Sequence, residues 1–274
     1  MEFSKPYRIT ENDLDSGALD SLRSDALLTA QLTKQEPDLA PVGESLMQRP
    51  KDEHEPLPLI QIRVPSYSKE IHENGAVTLR DSVGLRIELS ADIDEKTKNA
   101  AEFYAANLPQ RLREKLAAAD VPIHVVNKMS DLNPSLKDLP LPVLDPRKSW
   151  DEVGAAYFDD QEWNMLGKKG VVVTPAFLEF ALVHETAHAL DDIDGRPSHT
   201  AEFKELWNAD LQNAMNKKLS INPYLAQMGN RGPEEAFAEL FDALNSKVPN
   251  KKQEETLQTF PRLAKYIYER YFAK

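Results

Sequence analysis

Three side chains in the segment 174–192 have the types and the spacing of a zinc site. His184 and His188 are four residues apart, so on a helix both imidazoles lie on the same face. Two imidazoles placed in this way can bind one zinc ion at about 2.0–2.1 Å. Glu185 follows the first histidine directly, where a carboxylate can take a proton from the water that such a site activates. We therefore predict that His184 and His188 are zinc ligands and that Glu185 is a general base.

The residues around this motif bear on whether it is a chance match. An HExxH pattern also occurs on exposed, charged helices, where it is only part of a structural helix. Here Thr174 and Pro175 suit the start of a helix, and mostly apolar residues follow from Phe177 to Leu190. Polar side chains buried in such a helix are costly unless they have partners. The apolar context therefore favours a zinc site over a structural helix.

A third ligand is expected in the segment from Pro233 to Leu244. Glu235 and Glu239 are four residues apart in this mostly apolar segment, so both lie on one face of a helix. Catalytic zinc usually has three protein ligands and an open position. We predict that Glu235 is the third ligand and that Glu239 hydrogen-bonds the second nitrogen of a ligand histidine. The alternative for Glu239 is an ordinary, partly exposed helix glutamate.

Asp194 is a rival third ligand, six residues after His188. A different class of zinc proteases has its third ligand at this offset, after a glycine three residues beyond the second histidine. That position is Asp191 in this sequence, and Gly195 lies too far along the chain to take the place of this glycine. We therefore favour Glu235 over Asp194, and we expect Asp191 and Asp192 to cap the helix end or to support a ligand.

The elements that must position these residues follow from the hydrophobic pattern. A long helix is predicted over Asp94–Ala119, kinked or divided at Pro109, and the chain after Thr174 is predicted to be helical. Strands are predicted at Leu59–Val64, Ala76–Leu79, Leu85–Leu89, Pro122–Val126, Val153–Tyr157 and Gly170–Val173. This order predicts an α+β fold, in which a small mixed sheet and a long helix precede a helical half that carries the site.

The amino-acid composition differs between the beginning and the rest of the chain, and it excludes several classes of function. Residues 1–57 contain 12 acidic and 6 basic residues and a Pro-rich end, which predicts a weakly ordered leader before a catalytic domain at 58–274. The net charge is −12, which argues against nucleic acid as a partner. Cysteine is absent, so disulfides and thiolate chemistry are excluded. Charged residues interrupt the most apolar stretch, so no membrane span is expected, and the oligomeric state stays open.

The two motifs together resemble the catalytic domain of anthrax lethal factor and its relatives, which include the secreted Pro-Pro endopeptidases. HETAHALDD, followed further along by EEAFAELF, carries this resemblance. It extends over about residues 60–274 and is strongest across 174–245. The resemblance implies a metallopeptidase with one zinc ion per chain, held by His184, His188 and Glu235, with Glu185 as the general base.

One position departs from that family. Its members have a tyrosine seven residues before the ligand glutamate, which stabilises the oxyanion, and this position is Met228 here. Tyr224 lies four residues earlier and is the candidate replacement. An equal alternative is that Tyr224 only anchors the loop after Pro223. If no tyrosine donates a hydrogen bond to the oxyanion, another donor must stabilise the transition state.

These observations predict a zinc-dependent endopeptidase that hydrolyses peptide bonds in a protein or peptide substrate. The resemblance and the acidic leader favour a bacterial toxin or secreted effector. No apolar region typical of a Sec signal peptide follows the first basic residue, so we expect translocation by another route, with a cytoplasmic location as the alternative. A second function is a catalytically weak or inactive module with the same fold that binds or regulates. Met228 favours that module, whereas Glu185 argues against it.

Overall fold

A mixed β-sheet and seven α-helices make up the described part of the chain. The computed structural model describes residues 67–138, 149–159, 169–246 and 249–273. The strands are β1 (Ser68–Ile71), β2 (Val77–Arg80), β3 (Arg86–Leu89), β4 (Ile123–Val125), β5 (Ala155–Phe158) and β6 (Gly170–Val173). The helices are α1 (Glu95–Asn107), α2 (Gln110–Ala118), α3 (Leu178–Ile193), α4 (Ala201–Asn216), α5 (Arg231–Asn245), α6 (Lys251–Thr259) and α7 (Pro261–Tyr271). The predicted leader at 1–57 and the predicted strand at Leu59–Val64 lie outside the described residues.

The six strands form one sheet in the order β1-β2-β3-β4-β6-β5. The first three strands pair antiparallel, while β3 with β4 and β4 with β6 pair in parallel. Strand β5 closes the row as an antiparallel neighbour of β6. The sheet is therefore mixed, and it precedes a helical half, which confirms the predicted α+β fold.

The predicted long helix is divided at Pro109. Helix α1 begins after Asp94, whose carboxylate accepts a hydrogen bond from the backbone N–H of Thr97 at 2.7 Å. It ends at Asn107, and Pro109 then caps α2. Proline has no backbone N–H and its ring blocks the preceding helical turn, so a continuous helix through this position is excluded.

Helix α3 lies between the sheet and the rest of the helical half. It packs against β5 and β6 of the sheet, against α5, and also against α1 and α2. Leu178, Leu182 and Leu190 of α3 are buried, as are most apolar residues of α5. Where α3 meets α5, a polar side chain of α3 therefore has mostly apolar neighbours.

At the start of α5, neighbouring atoms lie so close to Gly232 that a side chain would not fit there. A Cβ at this position would lie 2.3 Å from the carbonyl oxygen of Gln227 and 2.7 Å from the indole ring of Trp207. The ring of Trp207 also donates its N–H to the carbonyl of Leu225 at 3.0 Å. These contacts hold the chain before α5 against α4. Within the described ranges, no helix combines the length and the apolar character that crossing a membrane requires.

Candidate metal centre

The local sequence builds α3 with its histidines on one face. Thr174 precedes a short 3-10 turn that leads into the helix, and its hydroxyl donates to the carbonyl of Gly154 at 3.0 Å. Thr186, in the middle of the motif, is fully buried, and its hydroxyl donates to the carbonyl of Leu182 at 2.9 Å. The motif's central polar residue is therefore satisfied within the helix, and the histidines face away from it towards α5.

His184, His188 and Glu235, which we call the metal cluster, converge on one point between α3 and α5. The two Nε2 atoms of the histidines are 3.1 Å apart. The Oε2 atom of Glu235 is 3.4 Å from Nε2 of His184 and 3.6 Å from Nε2 of His188. A circle through three points at these separations has a radius of about 2.0 Å, which is the usual distance from zinc to imidazole or carboxylate ligands.

The residues present fit a bound cation. The Oε2 atom of Glu235 is buried and makes no hydrogen bond, although buried polar atoms almost always have a partner. Among the residues that the structure describes, the metal cluster is the one group of three histidine, aspartate or glutamate side chains close enough to share an ion. Two imidazoles and one carboxylate are a donor set that zinc commonly takes in catalytic sites.

The electrostatics of the metal cluster also favour a cation. Burial raises the pKa of Glu235, but the two imidazoles beside it outweigh burial and hold that pKa well below its usual range. Burial lowers the pKa of His188, but Glu235 outweighs this effect and raises the pKa to about 9. The carboxylate is therefore ionised, and a proton on His188 balances its charge.

Glu239 lies behind His184, on the side away from Glu235. Its Oε1 atom is 3.8 Å from Nδ1 of His184, which is longer than a hydrogen bond. The same oxygen accepts a hydrogen bond from Nζ of Lys252 on α6 at 2.6 Å. The predicted neighbour is therefore present beside the second nitrogen of His184, and Lys252 is a partner that sequence reasoning did not identify.

Tyr224 lies close to the metal cluster, on the short turn that precedes α5. Burial raises the pKa of its phenol to about 12, and the charges of Glu235 and Glu185 add to this effect. The phenol therefore lies within the field of both carboxylates, although its residue is 39% exposed. Met228, at the position where the resembling family has tyrosine, is 72% exposed.

Asp194 and Asp191 lie beyond the metal cluster and have other partners. Asp194, the rival ligand, accepts a hydrogen bond from Lys115 of α2. Asp191 is buried, and its two oxygens accept from the backbone N–H of Ser198 at 3.0 Å and from the hydroxyl of Ser198 at 2.5 Å. Asp191 therefore holds the turn that follows α3.

A second group of charges, which we call the ionic cluster, lies at the end of α3. Asp192 accepts hydrogen bonds from Lys169 at 2.7 Å, from the phenol of Tyr157 at 2.8 Å and from Nε of Arg196 at 3.2 Å. Arg196 also donates to Asp159. Sequence reasoning missed this cluster, because its members come from three separate parts of the chain and only Asp192 and Arg196, four residues apart, are linked by spacing.

Comparisons with known proteins find similar chains among solved structures. No protein-family model matches the chain, and no curated protein sequence matches it. Among solved structures, the Pro-Pro endopeptidase from Paenibacillus alvei matches with a TM-score of 0.48 and 18% identity, over 68% of this chain and 97% of that chain. This comparison concerns the course of the backbone, and the chemistry of the site rests on the side chains of this chain.

Proposed function

We propose that the chain is a zinc-dependent endopeptidase. The observation that supports this proposal is the triangle of ligand atoms with sides of 3.1, 3.4 and 3.6 Å. One corner of that triangle is a buried carboxylate oxygen with no hydrogen bond. His184, His188 and Glu235 would hold one zinc ion per chain. Glu185 would lie beside this ion, on α3 with the two histidines.

The chemistry follows from the positions of these side chains. When bound, zinc supplies Lewis-acid activation of a water molecule and of the scissile carbonyl. Glu185 takes the proton of the attacking water as the new C–O bond forms. It then delivers that proton to the amine nitrogen as the C–N bond breaks. The second proton of the water also passes to the amine, so the two products are a carboxylate and an ammonium group, and Glu185 returns to its ionised form.

Tyr224 is the donor that we assign to the developing oxyanion. Its pKa of about 12 keeps the phenol protonated at neutral pH, so the hydroxyl remains a hydrogen-bond donor during the reaction. The nearby charges of Glu235 and Glu185 support this position.

The substrate that we propose is a protein or peptide. The acidic leader and the resemblance to lethal factor support a bacterial toxin or secreted effector. Incubating the purified protein with a proteome, and identifying the new amino termini, tests both the reaction and the substrate. We expect new termini with zinc, none after chelation, and their return when zinc is added back.

Each result of this experiment has a definite meaning. The same termini in the presence of a chelator would contradict a metal-dependent reaction. Bound zinc without any new termini would favour the inactive binding module, for which Met228 is the supporting feature. Cleavage by the Glu185→Gln variant at the wild-type rate would contradict the assigned base.

The identity of the third ligand has its own matched test. Glu235→Gln removes the carboxylate charge from the metal cluster, so we expect the bound zinc to be lost. Asp194→Asn makes the same chemical change at a carboxylate that pairs with Lys115, and this variant should keep its zinc. Loss of zinc from Asp194→Asn, with retention by Glu235→Gln, would reverse the assignment.

A further inference from the structure

A lysine from a separate helix contacts the side chain that supports His184. The Oε1 atom of Glu239 is 2.6 Å from Nζ of Lys252 and 3.8 Å from Nδ1 of His184. One carboxylate oxygen thus faces both a cation of α6 and the imidazole nitrogen that is turned away from the metal cluster. The order of contacts runs from Lys252 through Glu239 to His184.

Glu239 needs this lysine because the carboxylate is buried. Glu239 lies among the buried, mostly apolar residues of α5. An ionised carboxylate in such surroundings is costly without a cation. Lys252 is itself 61% exposed along its side chain, so its ammonium group stays partly hydrated. The lysine therefore neutralises Glu239 at little cost to itself.

The first turn of α6 is held against α5 by a second contact beside the first. Gln253, the next residue, donates from Nε2 to Oδ2 of Asp242 at 2.8 Å. Its backbone N–H and side chain also form a capping box with Asn250. Two adjacent residues of α6 thus bond to two carboxylates of α5, which limits the movement of Lys252 relative to Glu239.

We propose that Lys252 is a positioning residue for the zinc site and acts through Glu239. This inference rests on the proposed function. An imidazole that binds zinc through Nε2 carries its proton on Nδ1, and a carboxylate that accepts this proton fixes the tautomer and the ring orientation. Lys252 holds Oε1 of Glu239 on the Nδ1 side of the ring, where a small movement of either side chain would let it accept the Nδ1 proton and orient the histidine for the metal ion.

Lys252→Met tests this role, with Lys251→Met as the matched control. Lys251 is the preceding residue on the same helix, its side chain is 89% exposed, and it pairs with Glu255 at 3.7 Å. Zinc affinity is measured by competition with a chromophoric chelator, and the melting temperature of the metal-free protein is measured alongside. We expect Lys252→Met to weaken zinc binding about tenfold, Lys252→Arg to restore most of it, and Lys251→Met to bind as the wild type does.

A double-variant comparison separates this role from a merely structural one. Because Lys252 acts through Glu239, Lys252→Met should cause no further loss of zinc affinity in a Glu239→Gln background. An equal loss in both backgrounds would overturn the proposal, and so would unchanged affinity in Lys252→Met. If Lys252→Met does not fold, Lys252→Ala is compared in the same way.

The outcome also separates this inference from the proposed function. A wild-type protein that binds no zinc would contradict the zinc endopeptidase itself. A wild-type protein that binds and cleaves, with a Lys252→Met variant that binds zinc equally well, would contradict only the role of Lys252.

Discussion

Two polar clusters on α3 differ in how their buried charges are satisfied. In the ionic cluster, both carboxylate oxygens of Asp192 accept hydrogen bonds from protein donors. In the metal cluster, Oε2 of Glu235 has no hydrogen bond, and its nearest imidazole nitrogens are 3.4 and 3.6 Å away. Both clusters take charge out of water, but only the ionic cluster contains lysine and arginine as counter-charges.

The charge balance of the two clusters shows the same difference. Burial raises the pKa of Asp192, but bonds from Lys169 and Tyr157 outweigh it and lower that pKa. Lys169 and Arg196 are permanently charged at neutral pH. The metal cluster contains only histidines as possible cations, and these can release their protons when a metal ion binds. A cluster without lysine or arginine, in which one carboxylate oxygen has no hydrogen bond, is therefore suited to bind an ion.

Removing the histidines is expected to have the largest effect. The double variant His184→Ala and His188→Ala leaves only one of three ligands, so zinc binding should be lost and peptidase activity should fall to background. Metal analysis after dialysis, with the wild type in parallel, measures the zinc content. A full complement of zinc in the double variant would show that the ion binds elsewhere.

Glu185→Gln should separate the reaction from metal binding. The amide cannot accept the proton of the attacking water, so we expect kcat to fall by about 10²–10⁴-fold. Zinc content and melting temperature should match the wild type, because Glu185 is not one of the three converging ligands. Loss of zinc from this variant would mean that Glu185 belongs to the metal cluster.

Tyr224→Phe should produce the next largest loss. Removing one oxyanion donor lowers kcat by about 10²-fold or more, whereas the zinc content should stay the same. Met228→Leu, at the neighbouring exposed position, serves as the control and should keep its kcat. A Tyr224→Phe variant with the wild-type kcat would support the alternative that Tyr224 is a loop anchor.

Asp191→Ala should affect stability rather than zinc. The substitution leaves the buried hydroxyl and N–H of Ser198 without their acceptor, which costs about 1–3 kcal/mol of unfolding free energy. Denaturant unfolding measures this loss, and metal analysis should still give the wild-type zinc content. Loss of zinc with unchanged stability would place Asp191 in the metal cluster instead of the structural contacts at the end of α3.

The strands that could be predicted are those with a buried face. Strands β2, β3, β4, β5 and β6 were predicted near their observed bounds, because each contains apolar residues that pack into the core. Strand β1 was not predicted, since all four of its residues are exposed and their pattern has no apolar side. Pairing with β2, rather than its own sequence, makes this segment a strand.

The sequence by itself determined the spacing of the histidines and the candidate ligand set. Residues four apart on one helix share a face whatever the rest of the fold does, so His184 and His188 could be paired without a structure. The same local rule placed Glu235 and Glu239 on one face of a second helix. Only the tertiary structure decided which acidic group lies beside the histidines and which pairs with Lys115.

The tertiary structure also decided the roles around the metal cluster. Lys252 and Tyr224 reach the site from α6 and from the turn before α5, and no repeat or spacing relates them to the HExxH motif. Their contacts depend on how α5 packs between α3 and α6. Local periodicity reports which side of an element is buried, whereas the neighbour that each buried charge meets depends on the packing of elements that are distant in the chain.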